Sequence, residues 1–216
     1  MPKLVQGLIF DLDGTLIDSR ADIVDAVNHS LQALHLGLLD AQQISQYVGD
    51  GVRNLISRSL AHFDRQDLLA EGIACFKKVY GEHLLDNTRL YPGVAEILES
   101  FKAKPMAVIT NKPEDFSLHI LEGLKIRSYF NCILGGDSLA AKKPDPGPLL
   151  RVLARWGLDP SQVVVVGDSS NDIEAGKKAG TWTCAVTYGF KTHEELQALA
   201  PDWLIANISE IRDYVC

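Results

Sequence analysis

Cysteine is scarce in this sequence, and no two cysteines lie close together in the chain. The four are Cys75, Cys132, Cys184 and Cys216. Structural zinc sites and thioredoxin-like redox sites need cysteines a few residues apart, so neither kind of site is expected. We expect free thiols, as in proteins of the reducing cytoplasm.

The sequence also lacks an excess of positive charge and a long apolar segment. It has 21 Lys and Arg against 28 Asp and Glu, which gives a formal net charge of −7. A negative field of this kind does not attract nucleic acids or anionic membranes. No apolar segment approaches the roughly 18 residues that span a bilayer. We therefore expect a cytoplasmic protein with no nucleic-acid or membrane partner.

The start of the chain combines a short apolar segment with two carboxylates. Residues 4–10, LVQGLIF, have the length and composition of a buried parallel strand, and Asp11, Leu12, Asp13, Gly14 and Thr15 follow directly. In an extended chain Asp11 and Asp13 would leave the same side of the strand. Ligands bind at the carboxyl ends of parallel strands, and Mg²⁺ prefers carboxylate oxygens. The segment indicates a catalytic site, although Asp-x-Asp-Gly also occurs in surface turns and calcium loops.

The next part of the chain is helical in pattern. Ser19 and Asp22 resemble a capping box, and helical periodicity then continues to residue 88 without a convincing strand. From residue 90 onward strand and helix patterns alternate, as in a parallel sheet with right-handed crossovers. We predict an α/β fold with a doubly wound, Rossmann-like core formed by residues 1–17 and 91–216. Residues 18–90 form an α-helical unit inserted after the first strand.

Three further polar clusters follow predicted strands. Thr110 and Asn111 could bind phosphate oxygens, although both residue types are common in turns and helix caps. Lys143 lies in a proline-stiffened segment that could hold a fixed positive charge, or could be one of two solvated lysines. Asp168 and Asp172 follow the segment Val163-Val164-Val165-Val166, which indicates a metal site, although Asp172 could simply complement a helix N-terminus.

Taken together, these clusters resemble the four motifs of the haloacid dehalogenase superfamily of phosphatases. The matching residues are Asp11-Leu12-Asp13-Gly14-Thr15, Thr110, Lys143 and Gly167-Asp168-Ser169-Ser170-Asn171-Asp172, and the helical insertion is similar to the cap domain of that family. Within the family the chain most resembles the bacterial phosphoglycolate phosphatases. Four segments are similar to those enzymes: TNKP from Thr110, GGDSLAAKKPDP from Gly135, VGDGVRNLISRSL from Val48 and VTYG from Val186.

The resemblance implies a mechanism. Asp11 would attack phosphorus and form an aspartyl-phosphate, while Asp13 would act as general acid and then as general base. Mg²⁺ would be held by Asp11, the backbone carbonyl of Asp13 and Asp168, with Asp172 ordering metal-bound water or Lys143. The catalytic residues implied are Asp11, Asp13, Thr110 and Lys143, and the metal-site residues are Asp11, Asp13, Asp168 and Asp172.

The resemblance also implies the substrate-binding residues and the reaction. Those residues are Gly14, Thr15, Thr110, Asn111 and Lys143 in the core, with Gly51 and Arg53 in the cap. The implied reaction is Mg²⁺-dependent hydrolysis of a small anionic phosphate ester, above all 2-phosphoglycolate, by a monomer or homodimer. The alternatives are a phosphatase for a sugar phosphate, pyrophosphate or a nucleotide, a phosphosugar mutase, a phospho-accepting signalling module and a non-catalytic relative.

Overall fold

The centre of the molecule is a parallel β-sheet, seen in a computed structural model that describes residues 3–216. Within those residues the sheet has six strands: β1 (Gly7–Phe10), β4 (Met106–Ile109), β5 (Cys132–Leu134), β6 (Val163–Gly167), β7 (Trp182–Val186) and β8 (Trp203–Ile205). Their order is β5-β4-β1-β6-β7-β8. This arrangement confirms the predicted α/β fold with a parallel, Rossmann-like sheet.

The register of β1 brings the predicted polar clusters to one edge of the sheet. Phe10, the last residue of β1, lies opposite Val108 in β4 and Val166 in β6. The chain therefore leaves all three strands at the same level, and Asp11, Thr110 and Asp168 follow within two residues of these positions. All of β1 and β6 is buried, since each has a strand on both sides and helices above and below.

Alternate residues along the strands pack into two separate cores on the two faces of the sheet. Leu8 and Phe10 belong to the larger core, whereas Ile9 belongs to the smaller one. The flanking helices of the core are α5 (Val94–Ser100), α6 (Glu114–Gly123), α7 (Gly147–Trp156), α8 (Ser170–Ala179), α9 (His193–Ala198) and α10 (Ile211–Tyr214). The two-sided packing is what a doubly wound sheet requires.

The inserted segment contains four α-helices and leaves the core through a two-stranded ribbon. The helices are α1 (Arg20–Ala33), α2 (Ala41–Gln46), α3 (Val52–Ala61) and α4 (Leu69–Glu82), and α4 packs against both α1 and α3. The ribbon pairs β2 (Ile17–Asp18) with β3 (Arg89–Leu90) in antiparallel orientation. The chain therefore leaves the core and returns to it side by side, and the division into a core and residues 18–90 stays a prediction.

The predicted capping box at the start of α1 is wrong. The Ser19 side chain does not cap the helix, and its hydroxyl instead donates to Asp13 at 2.5 Å. The carboxylate of Asp22 accepts hydrogen bonds from the backbone N–H groups of Asn87 and Thr88 and from the Thr88 hydroxyl. Asp22 thus ties the first cap helix to the segment that returns to the core.

The longest helices among residues 3–216 have 14 residues. No helix in this part of the chain has the length and apolar character needed to cross a membrane.

Candidate active site

Asp11 lies directly after β1 in a buried environment, beside a lysine from a distant part of the chain. Its side chain accepts a hydrogen bond from Lys143 Nζ at 2.7 Å. The same ammonium group donates to Asp172 Oδ1 at 2.6 Å and to the carbonyl of Ile109. All three donors of Lys143 are therefore used, and the side chain is only 3% exposed. Lys143 is a fixed charge and not one of two solvated lysines.

The ionic state of Lys143 follows from these contacts. Burial lowers the pKa of its ammonium more than any other single influence, but the carboxylates of Asp11 and Asp172 together outweigh it and raise the pKa. The lysine consequently stays protonated and can neutralise one of the two acids.

Three buried acids converge at this edge of the sheet. Asp11, Asp168 and Asp172 each offer a carboxylate oxygen, and these oxygens lie within 4.8 Å of one another. Burial is the main reason that the pKa of Asp11 rises to about 7 and that the pKa of Asp168 rises well above its usual value. One lysine cannot compensate three carboxylates, and buried charge without compensation is costly. The all-oxygen donor set and its unbalanced charge fit a hard divalent cation such as Mg²⁺.

The two oxygens of the Asp172 carboxylate have different partners. Its Oδ2 accepts hydrogen bonds from the backbone N–H and the hydroxyl of Ser169 at the start of α8, and its Oδ1 binds Lys143. Asp172 therefore stabilises the helix N-terminus and also orients the lysine. Asp168 is held separately, because its Oδ2 accepts a hydrogen bond from the backbone N–H of Phe190 at 2.6 Å.

Asp13 does not share the surroundings of Asp11. The chain turns after β1, with the backbone N–H groups of Leu16 and Ile17 donating to the carbonyl of Leu12. The Asp13 carboxylate then meets Lys112, whose Nζ lies 2.8 and 2.9 Å from its two oxygens. The extended geometry therefore does not continue beyond Leu12, as the implied separation of the roles of Asp11 and Asp13 requires, and this turn gives each acid its own partners.

Lys112 belongs to the site, although the sequence motifs did not identify it. Its Nζ also donates to the Tyr80 hydroxyl at 2.7 Å and lies 4.6 Å from the centre of the Tyr80 ring. Burial acts to lower the pKa of Lys112, but Asp13 and Tyr80 outweigh it and raise that pKa. For Tyr80 burial acts in the opposite direction and raises the pKa of the phenol to about 12. Lys112 could have been identified from its position in the sequence, directly after Thr110 and Asn111. Tyr80 and Ser19 could not, because both fitted the pattern of the inserted helices.

Thr110 and Asn111 lie where the strand-end pattern predicts, on the cavity side of β4. The Thr110 hydroxyl accepts a hydrogen bond from the backbone N–H of Lys112. Asn111 donates from Nδ2 to the carbonyls of Gly49, in the cap, and Lys143, in the core. Asn111 thus joins the cap loop to the core in addition to lining the site.

Gly14 and Thr15 lie beneath the site and not on its surface. A Cβ at Gly14, where φ is +85°, would lie 2.1 Å from Asp168 Oδ2, so the position needs glycine for both conformation and space. Thr15 is fully buried, and its hydroxyl has no hydrogen-bond partner among residues 3–216. Neither residue lines the cavity, and their contact with substrate stays a prediction.

A cavity of about 60 Å³ lies between the strand ends and the cap. The core residues that line it include Asp11, Asp13, Thr110, Asn111, Lys112, Lys143, Asp168 and Asn171. The cap contributes Gly51 to the lining but not Arg53, which is exposed. Arg53 lies away from the buried face of α3, which includes Leu55 and Ile56. Contact of Gly51 or Arg53 with substrate stays a prediction.

Comparison with known proteins agrees with this geometry. The family model described as haloacid dehalogenase-like hydrolase matches residues 8–186. A phosphoglycolate phosphatase from Neisseria meningitidis is 41% identical, in an alignment that covers 96% of this chain and 92% of the relative. A phosphoglycolate phosphatase from Escherichia coli K12 is 35% identical, in an alignment that covers 96% of this chain and 91% of the relative.

A solved structure is also similar over nearly the whole chain. The crystal structure of a predicted phosphoglycolate phosphatase from Haemophilus somnus has a TM-score of 0.91 and 32% sequence identity, and the match covers 97% of each chain. The family model and the full-length relatives confirm the resemblance seen in the sequence motifs. The chain therefore belongs to the haloacid dehalogenase-like hydrolase family, and it is a phosphatase-type enzyme.

Proposed function

We propose that this protein hydrolyses a phosphate monoester in two steps through an aspartyl-phosphate on Asp11. The observation that carries the proposal is the separation of the two aspartates. Both aspartates line the cavity. Asp11 contacts Lys143 and belongs to the acidic cluster, whereas Asp13 contacts Lys112. Two carboxylates with different surroundings can take different roles in one reaction.

In the first step an oxygen of Asp11 attacks phosphorus while the bond from phosphorus to the ester oxygen breaks. Asp13 gives its proton to that oxygen, and the alcohol leaves. In the second step Asp13 takes a proton from water, the water oxygen attacks phosphorus, and the bond to Asp11 breaks. Phosphate is released and both aspartates return to their starting states.

Mg²⁺ would be held by Asp11, Asp168 and the backbone carbonyl of Asp13, since the buried carboxylates provide hard oxygen ligands and lack a compensating charge. When bound, the ion neutralises negative charge on the phosphoryl oxygens. Lys143, kept protonated between Asp11 and Asp172, supplies a second positive charge at the same place. Thr110, which also lines the cavity, offers a hydroxyl that can donate a hydrogen bond to a phosphoryl oxygen.

We propose 2-phosphoglycolate as the substrate, with glycolate and phosphate as products. The support is the naming of relatives up to 41% identical as phosphoglycolate phosphatases. Residues 18–90 would act as a cap domain that excludes water and selects the leaving group. The four cysteines are unpaired, which supports the cytoplasmic location that we propose.

The test is phosphate release from a panel of 2-phosphoglycolate, sugar phosphates, nucleoside monophosphates and pyrophosphate, each with Mg²⁺ and with EDTA. We expect Mg²⁺-dependent release that strongly favours 2-phosphoglycolate, and none from the Asp11→Asn variant. Normal turnover by Asp11→Asn would contradict the nucleophile. A requirement for a bisphosphate activator with little net release would identify a mutase instead.

A further inference from the structure

Three lysines line the cavity, and they differ in their burial and in their hydrogen-bond partners. Lys143 is held between Asp11 and Asp172 on the nucleophile side. Lys191 is half-buried, and its Nζ donates to the carbonyl of Gln46 on the exposed side of the cavity. Lys112 is buried, 8% exposed, and lies beside Asp13 and Tyr80. Lys112 is thus the enclosed positive charge next to the proposed general acid.

Much of the cavity wall is apolar. The apolar side chains that line the cavity include Ile23, Val48, Val52, Leu55, Phe76, Phe116 and Phe190. A leaving group that enters here loses its water, and an unpaired hydroxyl or amide in such surroundings costs free energy. A neutral sugar would bury several hydroxyls with few partners. A leaving group with one negative charge would find the ammonium of Lys112, which Asp13 no longer neutralises once Asp13 is protonated for the first step.

The position of Lys112 also matches a definite distance within the substrate. The proposed acid Asp13 must contact the ester oxygen of the substrate, and Lys112 Nζ lies 2.8 and 2.9 Å from the Asp13 oxygens. In a 2-phospho acid only two bonds, each about 1.5 Å long, separate the ester oxygen from the carboxylate carbon. A substrate placed for proton transfer from Asp13 therefore brings its carboxylate to Lys112.

We propose that Lys112 determines specificity by binding a carboxylate of the leaving group, so that the enzyme selects small phosphate esters with a carboxylate one methylene from the ester oxygen. This inference rests on the proposed function, because it requires Asp13 to protonate the ester oxygen. It adds to that function a residue and a chemical reason for choosing 2-phosphoglycolate.

The experiment compares kcat/KM for 2-phosphoglycolate and for ethyl phosphate, which has the same carbon skeleton without the carboxylate. Lys112→Met is expected to slow both esters, since Asp13 loses a partner, and to reduce the preference for 2-phosphoglycolate by about 10- to 100-fold. Lys112→Arg should retain part of the preference. Lys191→Met, which removes the other accessible positive charge, is the matched control and should keep the wild-type ratio.

A preference that survives Lys112→Met, or that is lost in Lys191→Met instead, would overturn the inference while leaving the hydrolase activity established. Equal wild-type turnover of both esters would do the same. Release of phosphate from neither ester would overturn the proposed function and the inference with it.

The wild-type protein provides a test that needs no variant. Phosphoethanolamine has a positively charged aminomethyl group in place of the carboxylate, and it should be a poorer substrate than ethyl phosphate. The reverse order would count against Lys112.

Discussion

Asn171 in the first turn of α8 donates a hydrogen bond from Nδ2 to Oδ1 of Asp50 in the cap, at 2.8 Å. The same amide reaches the carbonyl of Gly49 at 3.2 Å. Burial acts to raise the pKa of Asp50, but the hydrogen bond from Asn171 and the neighbouring Arg58 outweigh it and lower that pKa. This contact joins the cap to the core directly above the acidic cluster.

Asn171→Ala should weaken cap closure, since a hydrogen bond to a carboxylate is lost. We expect kcat/KM for the preferred ester to fall by about tenfold, because such bonds are worth about 1.5–3 kcal/mol and Asp50 is only partly buried. Asn54→Ala is the matched control: Asn54 also donates to Asp50, at its carbonyl, but both residues belong to the cap. A double-mutant cycle with Asp50→Ala checks the pairing, and strictly additive effects would show that the two residues do not interact.

Gly14→Ala should abolish activity and destabilise the protein. The new Cβ would lie 2.1 Å from Asp168 Oδ2, at a position where φ is +85°. Gly157 is a suitable control, because its φ is +65° but nothing lies within 4 Å of the Cβ that an alanine would add there. Gly157→Ala should cost only about 1 kcal/mol of unfolding free energy, since it carries the conformational penalty alone. Denaturant unfolding measures both, and equal losses would show that the contact with Asp168 is relieved at little cost.

Asp168→Asn should remove the response of the protein to Mg²⁺. The wild-type melting temperature should rise on addition of Mg²⁺, because the ion binds the folded protein and compensates the buried carboxylates. Without metal the variant should be at least as stable as the wild type, since an amide replaces a buried acid whose pKa is raised. Asp145→Asn changes an exposed acid near Lys143 and should respond like the wild type. An undiminished shift in Asp168→Asn would exclude Asp168 as a ligand.

Asp11→Asn should change how the stability of the metal-free protein depends on pH. The pKa of Asp11 rises from 3.8 to about 7 on folding, mainly through burial. An amide at this position does not titrate and serves as the reference. Relative to it, the raised pKa of Asp11 contributes its full stabilisation of the folded state below about pH 4, and this contribution is lost as the pH rises through 7. In EDTA the variant should therefore gain stability over the wild type between these pH values, by at most about 4 kcal/mol.

Urea unfolding at several pH values in EDTA measures this difference. Asp115→Asn is the control, because the side chain of Asp115 is 77% exposed. A difference between Asp11→Asn and the wild type that stays constant with pH would show that Asp11 is ionised throughout this range.

Most of the sheet and of the acidic cluster could be predicted from local sequence. A buried parallel strand needs a short apolar run, and Val163-Val164-Val165-Val166 provides one without competing helical periodicity. Parallel strands end at a common edge, so acids that follow such runs must converge, as Asp11 and Asp168 do.

The errors arose where a local pattern competed with distant partners. Ser19 and Asp22 have the spacing of a capping box, yet each binds a partner that the fold brings near, Asp13 in one case and Thr88 in the other.

The sequence by itself determined the fold, the acids at the strand ends and the inserted helices, because all three depend on residue types at short and regular spacing. Only the tertiary structure decided the partners of each charged group. Asp11 and Asp13 are two residues apart, but their lysines, Lys143 and Lys112, come from other loops. Which carboxylate meets which ammonium depends on how far the chain turns after β1 and where the cap lies, and no local pattern encodes either.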